Sequence, residues 1–229
     1  ILNNSPLIIT STSTSTIATS IPTKTMGGKV SITTAYGSTV SAQDLFIPPS
    51  PLLATDIQYM DRLAVGVSKT ASITTGGKKG LLLFDATQNQ RFYLNVTGAT
   101  FSACITLAIY TPDGSLLTTT PCSFSPGDID TTSLPSAGTY TILINPNSNA
   151  TGNVTLKLYD VPPDSTGIMS IDGPDATLAS ASVGQNAVPR TAIPRLRPLW
   201  FPCAPESRTP LCLPRSRRAA REKVCRHGT

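Results

Sequence analysis

The chain has 229 residues, of which 14% are charged and 6% aromatic, a composition that favours a Thr- and Ser-rich β protein over a helical one. No apolar run is long enough to cross a bilayer, which excludes a membrane-inserted class. The formal net charge of +5 combines two unlike regions: two Arg, six Lys and eleven Asp give −3 over residues 1–187, whereas nine Arg, one Lys and two Glu give +8 over residues 188–229.

The first 48 residues are rich in Thr and Ser. The chain opens ILNNSPLIIT, without an initiator Met or a signal segment, which indicates an internal fragment of a longer protein. GKVSITTAYGSTVSAQ predicts two strands joined by a turn at residues 36–38. TIATSIPTKTMGGKVSITTAYGS resembles the closing strands of the IPT/TIG immunoglobulin-like domains of bacterial surface proteins. The resemblance implies that residues 1–48 are the C-terminal part of such a domain.

The next segment, FIPPSPLLATDIQYMDR, carries Pro48, Pro49 and Pro51. Proline has no amide donor, so these residues cannot take part in a regular ladder. We predict that residues 49–62 are a Pro-rich linker or an edge segment.

Seven short segments between residues 63 and 161 predict an all-β, antiparallel sandwich or jelly roll. They are rich in β-branched and aromatic residues and are separated by Gly, Pro, Asn or Asp. No window in this region shows a sustained helical period. The segments read KTASITT, GLLLF, RFYLNVTG, ACITLAIY, GSLLTTTPC, GTYTILIN and GNVTLKLYD.

The last two of these segments are predicted to pair as a hairpin. Apolar residues alternate along both, and one register places all of them on a single face, with Thr155 and Lys157 pointing away. A shift of one residue would expose the whole set, so this register is strongly specified. The predicted opposed pairs are Tyr140 with Leu158, Ile142 with Leu156, and Ile144 with Val154.

An earlier hairpin is predicted around CITLAIYTPDGSLLTTTPC, residues 104–122. A turn centred on Asp113 places Ile109 opposite Leu117 and Cys104 opposite Cys122. Directly opposed residues of an antiparallel pair have Cα atoms about 4.5–5.5 Å apart, a distance that a disulfide accepts. We therefore predict a disulfide between the two strands, with a contribution of about 3 kcal/mol in the chain-entropy model.

Residues 63–160 resemble the bacterial pre-peptidase C-terminal domain and its relatives in YD-repeat (RHS-type) cell-surface proteins. The residues that carry the resemblance are LAVGVSKTASITT, GKKGLLLFDATQNQRFYLNVTG, IYTPDGS and DIDTTSLPSAGTYTILINP, with Leu134-Pro135 followed by AGTYT at 137–141. The resemblance implies a β-sandwich over 63–161 in an extracellular or cell-surface bacterial protein, with neighbouring tandem β modules as its partners.

A second repeat is predicted over residues 162–187, because ATLASASVGQNA (176–187) parallels KTASITTGGKKG (69–80). The apolar strand that should follow is replaced by a basic Arg/Pro-rich tail, residues 188–229. We interpret this tail as an out-of-frame translation and expect it to be disordered. The alternatives are a basic arm for nucleic acid and the variable C-terminal toxin tip of YD-repeat proteins. We expect no nucleic-acid partner.

Catalytic equipment is absent from the predicted sandwich. The only histidine, His227, lies in the tail, so Ser-His-Asp or Cys-His catalysis and His-based zinc sites have no histidine within the sandwich. GGKKG (76–80) has the wrong spacing for a phosphate loop and is predicted to be a turn between two strands. We expect that the protein is not an enzyme.

Two weak binding signals remain. Asp113, Asp128 and Asp130 are candidates for a structural calcium ion, although their spacing matches no EF-hand and each is explained by a turn or by the start of a strand. We therefore predict no cofactor. Tyr93 lies between two apolar residues that are expected to be buried, so its side chain should point outwards. It is the one candidate for ligand binding.

Two functions remain open. The first is a non-catalytic structural and adhesive module of a large secreted or cell-surface protein; the predicted disulfide indicates an oxidising compartment. The second is a carbohydrate- or protein-binding module appended to a secreted exoenzyme, with a cell-surface glycan or protein as its ligand. Selective binding to a glycan array would favour the second.

Overall fold

The computed structural model describes residues 1–170 and 177–192, which form β-strands and one short 3-10 turn, Ala54–Asp56. The predicted all-β class is confirmed. None of the described residues forms a helix of the length and apolarity that a membrane span needs. The strands are β1 (Ile8–Thr12), β2 (Ile17–Ser20), β3 (Gly28–Thr34), β4 (Gly37–Leu45), β5 (Ile57–Arg62), β6 (Ser68–Ile73), β7 (Lys79–Ala86), β8 (Arg91–Ala99), β9 (Ile105–Tyr110), β10 (Leu116–Thr119), β11 (Ile129–Ser133), β12 (Gly138–Pro146), β13 (Gly152–Asp160), β14 (Ser165–Ser170) and β15 (Ala187–Ala192).

Strands β5–β13 form a sandwich of two sheets. The five-stranded sheet has the order β10-β9-β12-β7-β5, and the four-stranded sheet has the order β11-β8-β13-β6. All neighbours are antiparallel except β5, which runs parallel to β7. The seven segments predicted from the sequence correspond to β6–β10, β12 and β13. The edge strands β5 and β11 were not among them, although β5 lies in the predicted linker or edge segment and β11 lies where the start of a strand was expected.

The main core lies between the two sheets and is built from alternate residues of each strand. Tyr140, predicted to be a core residue, is fully buried and stacks on Phe84, with ring centroids 5.4 Å apart. Its hydroxyl donates a hydrogen bond to the carbonyl oxygen of Ser136 at 2.8 Å, which satisfies the polar end of a buried ring. Other fully buried core residues are Ile73, Leu82, Leu94, Ile105, Leu107, Ile109, Ile142, Ile144, Val154 and Leu156.

The predicted pairing of β12 with β13 is wrong, although the predicted buried face is right. All six apolar residues of the predicted pairs belong to the main core. However, β12 pairs with β7 and β9 in one sheet, and β13 pairs with β6 and β8 in the other. The six side chains meet across the sandwich because residues 147–151 carry the chain from one sheet to the other.

The predicted register of β9 with β10 is wrong beyond the turn. Leu116 lies opposite Tyr110 as expected, but a bulge at Leu117 then places Thr118, not Leu117, opposite Ile109. Cys104 and Cys122 consequently lie just outside the two strands. They are nevertheless bonded, with Cα atoms 5.3 Å apart. Beside the cysteines Ile105 pairs with Ser123, two residues away from the predicted register, but a disulfide tolerates a range of Cα separations and still forms.

A second, smaller core covers the outer face of the five-stranded sheet. Leu81 and Leu143 are buried there together with Ile57 and Ala108. Phe46, Leu52 and Tyr110 pack against them, so part of the outer face of this sheet is buried as well. The predicted linker over 49–62 therefore has two parts: its proline-rich beginning covers the sheet without joining a ladder, and its end forms strand β5.

The N-terminal strands form two separate ribbons, β1 with β2 and β3 with β4. The second is the predicted hairpin, with its turn at residues 35–36 rather than 36–38. Every residue from 8 to 21 is exposed. At the other end, β14 pairs with β15. Residues 188–192 thus lie in a strand and not in the predicted disordered tail, and residues 193–229 of that prediction lie outside the described residues.

Candidate functional site

The candidate site is the outer face of the four-stranded sheet, which contains Tyr93, the predicted ligand residue. We define the β8–β13 face as the half-buried outward side chains of Tyr93, Asn95, Lys157 and Tyr159. Because Phe92 and the other alternate residues of these strands point into the core, the period of two places these four side chains outside. The Tyr93 and Tyr159 ring centroids are 6.2 Å apart, with planes tilted by 48°.

The Asp128 carboxylate holds the β8 side of this face in place. It accepts hydrogen bonds from the Tyr93 hydroxyl, from Nδ2 of Asn95 at 3.0 Å and from the backbone N–H of Val96 at 2.6 Å. Partial burial raises the pKa of Asp128, but these three donors outweigh that effect and the net pKa is lowered. Asp128 therefore remains a carboxylate that joins β8 to the start of β11.

Both tyrosine rings already have partners within the chain. Nζ of Lys157 lies 4.8 Å from the centroid of the Tyr159 ring, a cation–π contact. A Cβ added to Gly184 would lie 2.8 Å from the Cβ of Tyr93 and 3.0 Å from its Cγ, so the glycine backbone packs directly on that side chain. Part of the surface of each tyrosine side chain is therefore already covered within the chain.

The three aspartates considered for calcium are not brought together. Asp113 lies in the β9–β10 turn, where it accepts hydrogen bonds from the Thr111 hydroxyl and from the N–H of Ser115 at 3.1 Å. Asp128 and Asp130 belong to the opposite sheet, around the start of β11. In residues 1–170 and 177–192, no group of three His, Cys, Asp or Glu side chains is arranged to hold a metal ion.

The segment that follows the sandwich packs beside Tyr93. Nη1 of Arg91 donates to Oδ1 of Asp164 at 2.6 Å, and both side chains are mostly buried. Nε2 of Gln185 donates to the carbonyl oxygen of Pro163 at 2.6 Å. The hydrogen bond from Arg91 is the main reason that the pKa of Asp164 is lowered. Residues on both sides of the undescribed stretch 171–176 are thus held next to β8.

Asn3 holds the segment that precedes the sandwich. We call the contacts between Asn3 and the sandwich the N-terminal junction. Its Oδ1 accepts a hydrogen bond from the N–H of Thr139 at 2.7 Å. Its Nδ2 donates to the carbonyl oxygens of Thr139 at 2.7 Å and Gly27 at 3.2 Å. One amide side chain therefore joins the N-terminal segment to β12, and Leu2 beside it is fully buried.

Arg62 adds an ionic contact to the N-terminal junction. Its guanidinium binds both carboxylate oxygens of Asp44, at 2.8 and 2.9 Å, and also Oδ2 of Asp85. Burial raises the pKa of Asp85, but the hydrogen bonds that its carboxylate accepts from Arg62 and Thr139 lower the pKa by a larger amount. The net pKa of Asp85 is therefore below its ordinary value. Since Asp44 lies in β4 and Asp85 in β7, Arg62 connects the second ribbon to the sandwich.

The substitution Asn3→Gly is expected to reduce the free energy of unfolding by about 1–3 kcal/mol, because it leaves the N–H and C=O of buried Thr139 without these partners. Asn4→Gly is the matched control. Both residues have positive φ, 48° and 66°, so glycine relieves backbone strain equally at both. Asn4 is exposed and makes one hydrogen bond, to the carbonyl oxygen of Ala137. If chemical denaturation shows that the two variants lose the same unfolding free energy, Asn3 does not have the stabilising role that its contacts with Thr139 indicate.

Two open, polar pockets lie elsewhere on the sandwich. One, of about 300 Å³, lies beside Cys122 and is lined by Lys79, Thr106, Asn145 and Asn147. The other, of about 250 Å³, belongs to the N-terminal junction between Asn3 and Arg62. Neither combines an apolar lining with converging polar groups, the usual features of a small-molecule site.

The residues that matter most here were not predicted from the sequence. Asn3, Arg62 and Arg91 belong to no motif in the sequence, and their partners are distant along it. The Asn3-Asn4 pair did carry one signal, since asparagine is enriched among non-glycine residues with positive φ. Nothing in the sequence identified the acceptors.

Comparison with solved structures gives distant neighbours. No protein-family model and no curated protein matches the chain. PliG of Aeromonas hydrophila, a periplasmic inhibitor of g-type lysozyme, is similar with a TM-score of 0.35 and 11% identity over 45% of this chain and 98% of that one. The pre-peptidase C-terminal domain of a Bacillus anthracis collagenase gives a TM-score of 0.35 and 11% identity over 43% and 93%. PliG of Salmonella Typhimurium gives 0.32 and 12% over 44% and 99%.

The collagenase domain belongs to the family that residues 63–160 resemble in sequence.

Proposed function

We propose that the chain is a non-catalytic structural and adhesive module of a large secreted or cell-surface bacterial protein. The observation that carries the proposal is that segments on both sides of the sandwich are packed against it. Asn3 and the second core hold the preceding segment, and Arg91 with Gly184 holds the following one. A β module whose flanking segments are fixed transmits orientation along a chain, which is what a spacer requires.

The disulfide supports the proposed compartment. Bonds between cysteines persist in secreted, periplasmic and surface proteins and are rare in the reducing cytosol. Cys122 is exposed, so a reducing environment would have access to this bond. An oxidising location outside the cytoplasm is therefore part of the proposal.

Force spectroscopy of the full chain tests the spacer role. When the chain is pulled at both ends, we expect residues 1–161 to unfold in one main step, because the N-terminal junction and second core join the ribbons to the sandwich. The loop between Cys104 and Cys122, with a sequence separation of 18, should stay closed. Adding a reductant should lengthen the unfolded chain by about 60 Å, at about 3.3–3.6 Å per residue.

Two outcomes would contradict the proposal. Separate steps for the ribbons and the sandwich would show that the flanks are not mechanically joined to it. Selective binding of the full chain to a glycan array would instead support the carbohydrate-binding alternative, although Lys157 and Gly184 already occupy the rings that such a ligand would stack on.

A further inference from the structure

The turn at residues 182–185 has the same construction as the turn at residues 75–78. The N–H of Lys78 donates to the carbonyl oxygen of Thr75 at 3.3 Å, and the N–H of Gln185 donates to that of Ser182 at 3.2 Å. Gly77 and Gly184, which precede the two donors, have φ of +77° and +81°. Each pair of equivalent residues is 107 positions apart, the same offset that relates the two parallel stretches of sequence.

The strands around the two turns correspond to within one residue of the same offset. Strand β14 (Ser165–Ser170) takes the place of β5, and β15 (Ala187–Ala192) takes the place of β7. In the sandwich the start of β5 pairs with the start of β7, Ile57 with Lys79. In the following segment, the N–H of Ser165 at the start of β14 donates to the carbonyl oxygen of Asn186, just before β15, at 2.9 Å.

This second turn lies against β8 of the preceding sandwich. Gly184 packs on the side chain of Tyr93 so closely that a Cβ at position 184 would approach it to 2.8 Å. On the same outer side, Arg91 binds Asp164, whose Oδ1 also accepts the N–H of Asn186 at 3.4 Å. Arg91 and Tyr93, two residues apart on β8, therefore contact both parts of the β14–β15 unit. Arg91 binds the residue just before β14, and Tyr93 contacts the turn before β15.

We propose that Arg91 and Tyr93 form a docking site for a following copy of the module, through the turn that is equivalent to residues 75–78. The partner is a second β module of the same construction, recognised through a glycine with positive φ that admits the tyrosine and through a carboxylate that binds the arginine. This deepens the proposed function and rests on it, since it specifies how consecutive modules of a spacer are held. Tyr93 is then an intermodule contact and not a ligand residue.

Hydrogen exchange of the full chain, followed by mass spectrometry, tests the docking site. Tyr93→Ala removes the side chain that packs on Gly184 and should speed exchange in peptides covering Ser165 and Gln185 about tenfold, which corresponds to about 1.4 kcal/mol. Tyr93→Phe is the matched control: it keeps the ring but not the hydroxyl bound to Asp128. Its exchange in the same peptides should match that of the unmodified chain.

The ionic half is tested by charge exchange. Arg91→Asp should speed exchange in the same peptides, and adding Asp164→Arg should restore protection. Unchanged exchange in Tyr93→Ala, or failure of the double exchange to restore protection, would overturn the docking site. Peptides from β12 and β13 report in the same experiment whether the sandwich is folded. If the docking site fails this test while the sandwich stays folded and still unfolds in one step with its ribbons, the result overturns the docking site and leaves the proposed function unaffected.

Discussion

A chain that begins at residue 56 is expected to lose on the order of 5 kcal/mol of unfolding free energy relative to the full chain. The deletion removes Phe46 and Leu52 from the second core, exposing Leu81 and Leu143 on the outer face of the five-stranded sheet. Full burial of a leucine side chain contributes about 1.5–3 kcal/mol. The deletion also removes the Asn3 contacts. Urea denaturation followed by circular dichroism measures the loss.

Adjacent leucines give a control that avoids the deletion. Leu52 packs against the second core, whereas Leu53 is 65% exposed. Leu52→Ala should therefore lower the urea midpoint clearly, and Leu53→Ala should change stability by less than about 0.5 kcal/mol. If the shortened chain unfolds at the same urea concentration as the full chain, residues 63–161 are independent of the N-terminal segment and the second core has no energetic role.

Replacing Cys104 and Cys122 by serine is expected to lower the free energy of unfolding by about 3 kcal/mol. The bond closes a loop with a sequence separation of 18, and the chain-entropy model assigns about this value to a loop of that length. Thermal unfolding of protein exported to the periplasm, with and without reductant, measures the effect. Reductant should destabilise the unmodified protein and leave the double serine variant unchanged.

Peptide mapping by mass spectrometry after alkylation, with and without prior reduction, locates the bond, because the chain has three further cysteines at positions 203, 212 and 225. The described part of the chain pairs Cys104 with Cys122, so in protein from the periplasm both thiols should resist alkylation until they are reduced. Free thiols at both positions in that material would contradict the pairing and, with it, the argument for an oxidising compartment.

Sequence periodicity was reliable for strands with a buried face. Tyr140, Ile142 and Ile144 occupy alternate positions on one face of β12, and all three are fully buried as predicted. The pattern could not show that Leu143 is buried too, because its cover comes from residues far earlier in the chain. Strand β5 was missed for a related reason: it joins the sheet as a parallel edge, with no hairpin turn to identify it.

The sequence by itself determined the all-β class, the seven sandwich segments, the buried faces and the proximity of two cysteines. Each depends on local alternation or on a nearby turn, where few arrangements are sterically allowed. The tertiary structure decided which strands are neighbours and what covers the outer faces. An alternating strand buries the same side chains whether its successor lies beside it or across the core, so β12 and β13 could be assigned to opposite sheets only by the packing of the whole chain. The contacts of Asn3, Arg62 and Arg91 were decided in the same way, because each polar side chain binds partners that only the folded chain brings within reach.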